Sequence, residues 1–231
     1  MVKYADDVTL SVPIYKNSDN AHVLEVHQSI KKWSLQVGLP LNENKCKSLG
    51  IPRSTTFRCV SLPNVAKVQS LTLLGVEFSE KCTWTHHIET ITRKASRRLY
   101  PLRLLRPHLD NEKLKIVYYG LMRSILEYAS PLFIGLNNKD SLNLSKVQKR
   151  FHRLLCGKQC TKECLPSLEE RRKDQAVSLY CSLLKEDHIL HKLSCIQSAR
   201  GRLLLPSIST NRRLNSFPIK AAIHYNEVFG K

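Results

Sequence analysis

The apolar residues of this chain change their spacing near Thr85, and that change limits the folds open to it. Before Thr85, short apolar stretches alternate with polar residues or are separated by turn residues, which is typical of strands. After it, apolar residues recur at helical spacing, as in Ile88, Ile91 and Ala95. We therefore expect an α+β chain that divides near residue 84 into a mixed part and a helical part.

The first part predicts a hairpin, a helix and further short strands. Apolar and polar side chains alternate over residues 2–15 around the turn residues Asp6 and Asp7. A helix capped by Ser18 or Asp19 is expected to end at Gly38. Further strands are expected at residues 48–51, 55–62 and 71–78.

The second part predicts four helices. The first follows the Ile88 stripe and is expected to kink or break at Pro101. Asp110 is a candidate cap for the second, and the third covers residues 144–155. Ser167, with Glu170 three residues later, has the spacing of a capping box at the start of the fourth.

Positive charge is concentrated in the helical part. The chain has 37 Lys and Arg against 19 Asp and Glu, and residues 93–231 alone hold 27 basic and 11 acidic side chains. A polyanion is the expected partner of such a segment, because each phosphate contact releases condensed counterions. A basic surface that is only solvated remains the alternative.

Several features bear on where the protein works. No apolar run approaches the roughly 18 residues that a membrane span needs, and the first residues are too polar for a signal peptide. Eight cysteines at irregular spacings fit reduced thiols better than a disulfide framework. We expect an intracellular protein, nuclear or cytoplasmic and not secreted, with no membrane partner and no evident obligate protein partner.

The sequence Tyr4-Ala5-Asp6-Asp7 places two carboxylates side by side at the predicted hairpin turn. Adjacent like charges repel unless a cation neutralises them. Mg²⁺ takes one or two carboxylates together with substrate phosphates, and two such ions can clamp the oxygens of a phosphoryl transfer. An ordinary Asp-Asp turn would look the same, so the residues that follow have to decide.

Those residues resemble, in order and over nearly the whole chain, reverse transcriptases of non-LTR retrotransposons, the long interspersed element type. The matching segments include GLPLNENKCK (38–47), LLGVEF (73–78), WTHHI (84–88), YYGL (118–121), RSILEYASP (123–131), QKR (148–150) and LPSLEERR (165–172). Group II intron maturases share the Asp-Asp hairpin, but the segments at 73–78 and 84–88 favour the retrotransposon enzymes. The resemblance implies the end of a polymerase palm with a primer-grip-like hairpin over residues 1–84, thumb-like basic helices over 85–135, and a helical basic region over 136–231.

The resemblance also implies roles for individual residues. Asp6 and Asp7 match the metal-binding catalytic pair, with Asp6 the more direct ligand, and Tyr4 matches a residue lying against the primer end. Lys45 matches a lysine that could protonate the leaving pyrophosphate. The family more often has threonine at the position of Cys46, and a solvated lysine at the end of a strand is the other interpretation of Lys45.

Further positions are expected to contact nucleic acid. Leu74 and Gly75 correspond to the primer grip, with a plain β-turn glycine as the competing interpretation. Basic residues on two predicted helices are expected to contact phosphates, or else form solvated faces. These are Arg93, Lys94, Arg97, Arg98, Lys146, Lys149, Arg150 and Arg153.

The expected function is that of an RNA-directed DNA polymerase, with Mg²⁺ as cofactor and an RNA template, a DNA primer and deoxynucleoside triphosphates as partners. The family also needs a third aspartate on an earlier palm strand, and fingers. Because only three residues precede Tyr4, we expect a fragment that is inactive alone, with Asp6 and Asp7 exposed and the hairpin open at one edge or more. The alternative is a catalytically dead, basic helical relic that binds RNA or DNA.

One cysteine-rich segment is not expected to bind zinc. His152, Cys156, Cys160 and Cys164 are each four residues apart and lack the C-x₂-C pair common in zinc sites. Thiols buried near a helix end are the preferred interpretation.

Overall fold

The computed structural model describes residues 1–14, 20–52, 61–157, 165–194, 197–198 and 201–230. They form a mixed α+β structure, which confirms the fold class expected from the sequence. The chain divides into two compact units, Met1–Thr83 and Trp84–Lys231. Among the helices in the described ranges, none combines the length and the apolar character needed to cross a membrane.

The first unit begins with an antiparallel hairpin of β1 (Val2–Tyr4) and β2 (Asp7–Thr9). Tyr4 lies directly opposite Asp7, so the loop between the strands contains two residues. β2 ends at Thr9, although the alternating pattern predicts a strand that continues to about residue 14. In the described part no third strand pairs with β2, so its extension has no hydrogen-bonding neighbour.

The helix of the first unit, α1 (Asn20–Gln36), stops at Gly38 as predicted. Gly38 has a φ of 71°, and the N–H of Leu39 donates to the carbonyl of Ser34 at 2.9 Å. This is the hydrogen-bond pattern of a Schellman motif, in which glycine takes the left-handed position without steric cost. The predicted cap at residues 18–19 lies outside the described residues.

Two further small sheets complete the first unit. Their strands are β3 (Lys47–Leu49), β4 (Ala66–Val68), β5 (Ser70–Leu73) and β6 (Val76–Ser79). β3 is parallel to β4, and β5 is antiparallel to β6. Strands are found near residues 48–51, as β3, and over residues 71–78, as the hairpin of β5 and β6. β4 is not predicted, because a strand of three residues is too short to show an alternating pattern. Most of the strand expected at 55–62 lies outside the described residues.

The second unit begins with α2 (Thr85–Arg97) and α3 (Leu99–Leu105). The break predicted at Pro101 occurs at Arg98 instead. Pro101 therefore lies in the first turn of α3, where its missing N–H removes no hydrogen bond because first-turn N–H groups have no partner within the helix.

The next helical stretch contains an irregular turn. It consists of α4 (Asn111–Tyr118), a π-helical turn (Tyr119–Arg123) and α5 (Ser124–Glu127). Asp110 caps α4 as predicted, since its Oδ1 accepts the N–H of Lys113 at 2.8 Å. The apolar spacing predicts one continuous helix here and does not reveal the π turn.

The remaining helices form the rest of the second unit. They are α6 (Asn138–Cys156), α7 (Leu168–Leu183), α8 (Asn211–Leu214) and α9 (Phe217–Phe229). Ser167 caps α7 as predicted, but it accepts the N–H of Glu169 at 3.2 Å. A capping box would use the N–H of Glu170, so the helix start is confirmed and the form of the cap differs.

Two buried clusters hold the second unit together. The larger is formed by apolar residues from α2 to the start of α7, and in it Tyr118 stacks on Phe151 with ring centroids 4.1 Å apart. The smaller is centred on α7 and α9 and includes Tyr180 and Ala222. The larger cluster buries the apolar stripe predicted for α2, whereas α8 and α9 are not among the helices predicted from the sequence.

Hydrogen bonds join α6 to the start of α2 and to the end of α3. At one end, Thr85 Oγ1 donates to Asp140 Oδ2 at 2.8 Å, so the N-termini of α2 and α6 are adjacent. At the other end, Arg106 Nε donates to the carbonyl of Leu154 at 3.1 Å, which places the end of α3 beside the end of α6. These two hydrogen bonds fix how residues along one helix align with residues along the other.

Candidate functional site

The Tyr4-Ala5-Asp6-Asp7 loop forms a tight, exposed turn. Ala5 has a φ of 51°, a left-handed conformation that residues other than glycine rarely adopt. Asp6 and Asp7 are exposed, as expected. In the described part β1 and β2 pair only with each other, so each leaves an edge open, as also expected.

The donor atoms of this loop suit magnesium. Among the described residues no group of three or more His, Cys, Asp or Glu side chains is placed to hold a metal ion. The adjacent carboxylates of Asp6 and Asp7 nevertheless supply hard oxygen ligands, and magnesium needs only one or two of these when water and phosphates complete its shell. Magnesium binding by this pair stays a prediction.

Lys45 lies at the end of a short 3-10 turn (Glu43–Lys45) before β3, with its side chain exposed. The turn is attached to α1 through an ion pair between Glu43 and Lys31. The hydrogen bond from Lys31 lowers the pKa of the Glu43 carboxyl. Within the described residues no hydrogen bond or ion pair joins Lys45 to Asp6 or Asp7, so its catalytic role also stays a prediction.

The Leu74-Gly75 turn joins β5 to β6 in a two-residue loop. Both residues have positive φ, 47° for Leu74 and 79° for Gly75, which is the pattern of a type I′ turn. Glycine is an ordinary choice there. Leucine is not, because its Cβ makes the left-handed conformation cost roughly 1–2 kcal/mol. The turn therefore explains Gly75, but it does not explain why an exposed leucine occupies position 74.

The predicted basic residues of α2 and α6 lie on the outer faces of these helices. All eight are exposed: Arg93, Lys94, Arg97, Arg98, Lys146, Lys149, Arg150 and Arg153. The opposite faces carry buried apolar residues such as Ile91 and Phe151. Thr85 and Asp140 are hydrogen-bonded, and the two sets follow them at similar spacings along α2 and α6, so the two sets stand at a similar level. We call these eight side chains the basic faces.

The basic faces are not neutralised by acidic neighbours. In the part of the chain that the structure describes, none of the eight forms an ion pair. Cations in the last turn of a helix complement its dipole, which accounts for Lys94, Arg97 and Arg153. It does not account for those further from the helix ends, so a purely structural explanation is incomplete.

Arg106 is basic but does not belong to these faces. Its Nε and Nη2 donate to the carbonyls of Leu154 and Leu155, at 3.1 and 3.3 Å. These carbonyls belong to the last turn of α6, where a cation both satisfies acceptors and complements the negative end of the helix dipole. The cluster of basic residues around α2 and α3 in the sequence gives no means of separating Arg106 from its neighbours.

Glu127 is the centre of a hydrogen-bond network that the sequence does not reveal. Its carboxylate accepts from Arg123, from both Nε and Nη2 of Arg171, and from Gln175, at 2.7 to 3.1 Å. Ser130 in turn donates to Gln175. The i, i+4 spacing of Arg123 and Glu127 predicts one of these pairs, whereas the partners on α7 depend on tertiary structure.

The cysteine-rich segment is only partly described. His152 and Cys156 lie one turn apart on α6, and Cys156 packs against the larger core. Cys160 and Cys164 lie outside the described residues. The position of Cys156 agrees with a thiol partly buried near a helix end.

No protein-family model, curated protein or solved structure matches this chain.

Proposed function

We propose that this chain is the part of a non-LTR retrotransposon reverse transcriptase that runs from the catalytic hairpin through the thumb. The observation that supports this most is the conformation of the two loops to which the resemblance assigns chemistry. Ala5 and Leu74 both hold positive φ without being glycine. Backbone strain of this kind is common at functional sites, although Asn64, Cys82 and Ala129, to which the resemblance assigns no chemistry, also hold positive φ.

In this proposal the loop residues bind metal and primer. Asp6 and Asp7 would hold magnesium, which would neutralise phosphate charge and stabilise the charge that develops on the reacting oxygens. Tyr4 lies against the primer end, Lys45 gives a proton to the departing pyrophosphate, and the Leu74-Gly75 turn supports the primer backbone.

The basic faces would hold the template–primer duplex by its phosphates. Phosphate contacts fix the position of a protein on a duplex without reading its sequence, which suits an enzyme that must copy any template. Their exposure, and their lack of acidic partners among the described residues, leave all eight cations available for this role.

On this proposal the chain does not polymerise alone, because templated transfer also needs a third metal-binding carboxylate and fingers that position template and nucleotide. The test is a fusion of this chain to the fingers and preceding palm strands of a non-LTR reverse transcriptase. With magnesium and deoxynucleotides, the fusion should extend a DNA primer on an RNA template, and neither part alone should do so. A folded fusion that binds the template–primer but never extends it contradicts the proposal.

The second candidate is a catalytically inactive protein that binds RNA or DNA, a relic of such an element. The basic faces favour this candidate, because a protein can bind a polyanion through such faces without having an active site. It predicts binding without extension in the same fusion. In the genome, stop codons directly upstream of Met1 would favour the relic, and an open frame with an aspartate strand and finger motifs would favour the polymerase.

A further inference from the structure

An open groove runs along the surface of the π turn and α5. Its volume is about 320 Å³, and it is lined by Tyr119, Arg123, Ser124, Glu127 and Tyr128. The two tyrosines are 38% and 53% exposed, so ring surface is available to a ligand. A groove with two exposed aromatic rings and an arginine suits a flat aromatic ligand.

The arginine of this groove is held in place before any ligand arrives. Its guanidinium lies over the Tyr119 ring, 4.8 Å from the centroid, and its Nε donates to Glu127 at 2.9 Å. Glu127 is itself fixed by Arg171 and Gln175. Among the described residues the terminal nitrogens of Arg123 make no other hydrogen bond, so they remain available as donors.

The backbone of the groove is also unusual. Tyr119–Arg123 is a π-helical turn, and π turns are frequent at functional sites. The turn contains Gly120, and a Cβ built there would meet nothing within 4 Å. Packing therefore does not require glycine at this position, although glycine weakens a helix relative to alanine. A surface that a ligand approaches closely would explain why glycine is tolerated.

From these observations we propose that the groove binds one unpaired nucleotide of a single-stranded RNA or DNA, stacking its base on the Tyr119–Arg123 pair and against Tyr128. The proposal rests on the proposed function, because it takes the partner of the chain to be nucleic acid. Base stacking on tyrosine rings and on arginine planes is the usual way in which proteins hold unpaired nucleotides. The terminal nitrogens of Arg123 would donate to the base edge or to the adjacent phosphate.

A nucleotide fits this groove better than an acidic peptide would. The unit that contains the groove is strongly basic, which favours a polyanion. The groove itself adds aromatic surface rather than further unpaired cations, since Arg123 and Arg171 both pair with Glu127. A site that binds carboxylates would not have the Glu127 carboxylate in its lining, because the two like charges would repel each other. A site that stacks a nucleobase can have a carboxylate there.

The test uses the full chain and a short single-stranded DNA that contains one 2-aminopurine. Binding is followed by fluorescence anisotropy and stacking by quenching of the 2-aminopurine. The double variant Tyr119→Leu with Tyr128→Leu should bind about 5- to 100-fold more weakly and lose the quenching, because base–aromatic stacking is removed. Tyr119→Phe with Tyr128→Phe keeps both rings and should behave as the wild type does. No charge changes, so the salt dependence should be the same in all of these proteins.

Tyr100→Leu is the matched control, because Tyr100 is 67% exposed on α3 and does not line the groove. It should leave the quenching unchanged. Wild-type affinity and quenching in the double leucine variant would overturn the proposal, and so would an equal weakening in Tyr100→Leu. If the wild type binds duplex but does not bind the single strand or quench its 2-aminopurine, the groove proposal fails and the proposed function stands. Binding to neither kind of nucleic acid would contradict both.

Discussion

Arg171 donates from Nε and Nη2 to the two carboxylate oxygens of Glu127, at 2.7 and 2.9 Å. This bidentate pair joins α5, which packs in the larger core, to α7, which begins in the larger core at Leu168 and continues into the smaller one. The Glu127 side chain is only 13% exposed, and that of Arg171 is 24% exposed. The pair therefore connects the two cores of the second unit through partly desolvated charges.

Glu127→Gln should destabilise the protein by about 1.5–3 kcal/mol, because it leaves Arg123 and Arg171 without their shared counter-charge. Urea unfolding monitored by circular dichroism measures this as a lower midpoint at constant slope. Glu170→Gln is the matched control on the exposed surface of α7, and it should change stability by less than about 0.5 kcal/mol. Equal effects of the two substitutions would show that the network adds no more to the free energy of unfolding than an exposed glutamate does.

The cap at Asp110 should give the protein a pH-dependent contribution to stability. Hydrogen bonding to the backbone N–H of Lys113 lowers the pKa of Asp110 from its ordinary value of 3.8. A pKa that is depressed on folding adds stability above 3.8, which disappears as the pH falls through the lower, folded-state value. Asp110→Asn keeps an acceptor for the cap without the titrating group. The stability difference between wild type and variant should shrink in thermal melts as the pH falls from 6 to below 3.8. A constant difference would contradict this.

Gly120→Ala should stabilise the fold by about 0.5–1 kcal/mol, because a helical glycine has more backbone entropy to lose on folding. The new methyl group meets nothing within 4 Å, so no steric cost opposes the gain. Thermal or urea unfolding tests this directly. The contrasting variant is Gly135→Ala, whose Cβ would come within 2.2 Å of the Asn215 carbonyl oxygen and should destabilise the protein. A destabilised Gly120→Ala would mean that the π turn itself requires glycine.

The basic face of α2 should account for part of the salt dependence of duplex binding. Replacing Arg93, Lys94, Arg97 and Arg98 with glutamine should reduce the slope of log K against log salt by up to ~0.9 for each phosphate that the variant no longer neutralises. Filter binding or anisotropy over a salt series measures the slope. Lys173→Gln is the control, because Lys173 is paired with Glu169 at 3.1 Å. An unchanged slope in the quadruple variant would show that this face is only solvated.

Local signals in the sequence predict much of the fold. The stop at Gly38 and the cap at Asp110 depend on neighbours within a few residues, and both are found where they are expected. The exposure of Asp6 and Asp7 follows from a polar turn at the end of a short hairpin. These predictions succeed because local hydrogen bonding determines the conformation.

Features that depend on distant residues could not be predicted in the same way. In the sequence Arg106 resembles one more exposed cation, and only the fold brings the end of α6 beside it, 48 residues away in the chain. The partners of Glu127 on α7 and the π turn after Tyr118 likewise leave no periodic signal. For the candidate site, the sequence indicates which residues are exposed, but whether Lys45 comes near Asp6 and Asp7 depends on tertiary structure that no spacing encodes.

The most direct test of the central proposal is primer extension by the fusion when it carries Asp6→Asn or Asp7→Asn. Each change removes one formal charge from the metal-binding pair and preserves the shape of the side chain, so extension should fall to background while duplex binding is retained. Asp187→Asn, the same change at an exposed aspartate outside the hairpin, should leave extension intact. Near-normal extension by both hairpin variants would contradict the assignment of Asp6 and Asp7 as the catalytic pair.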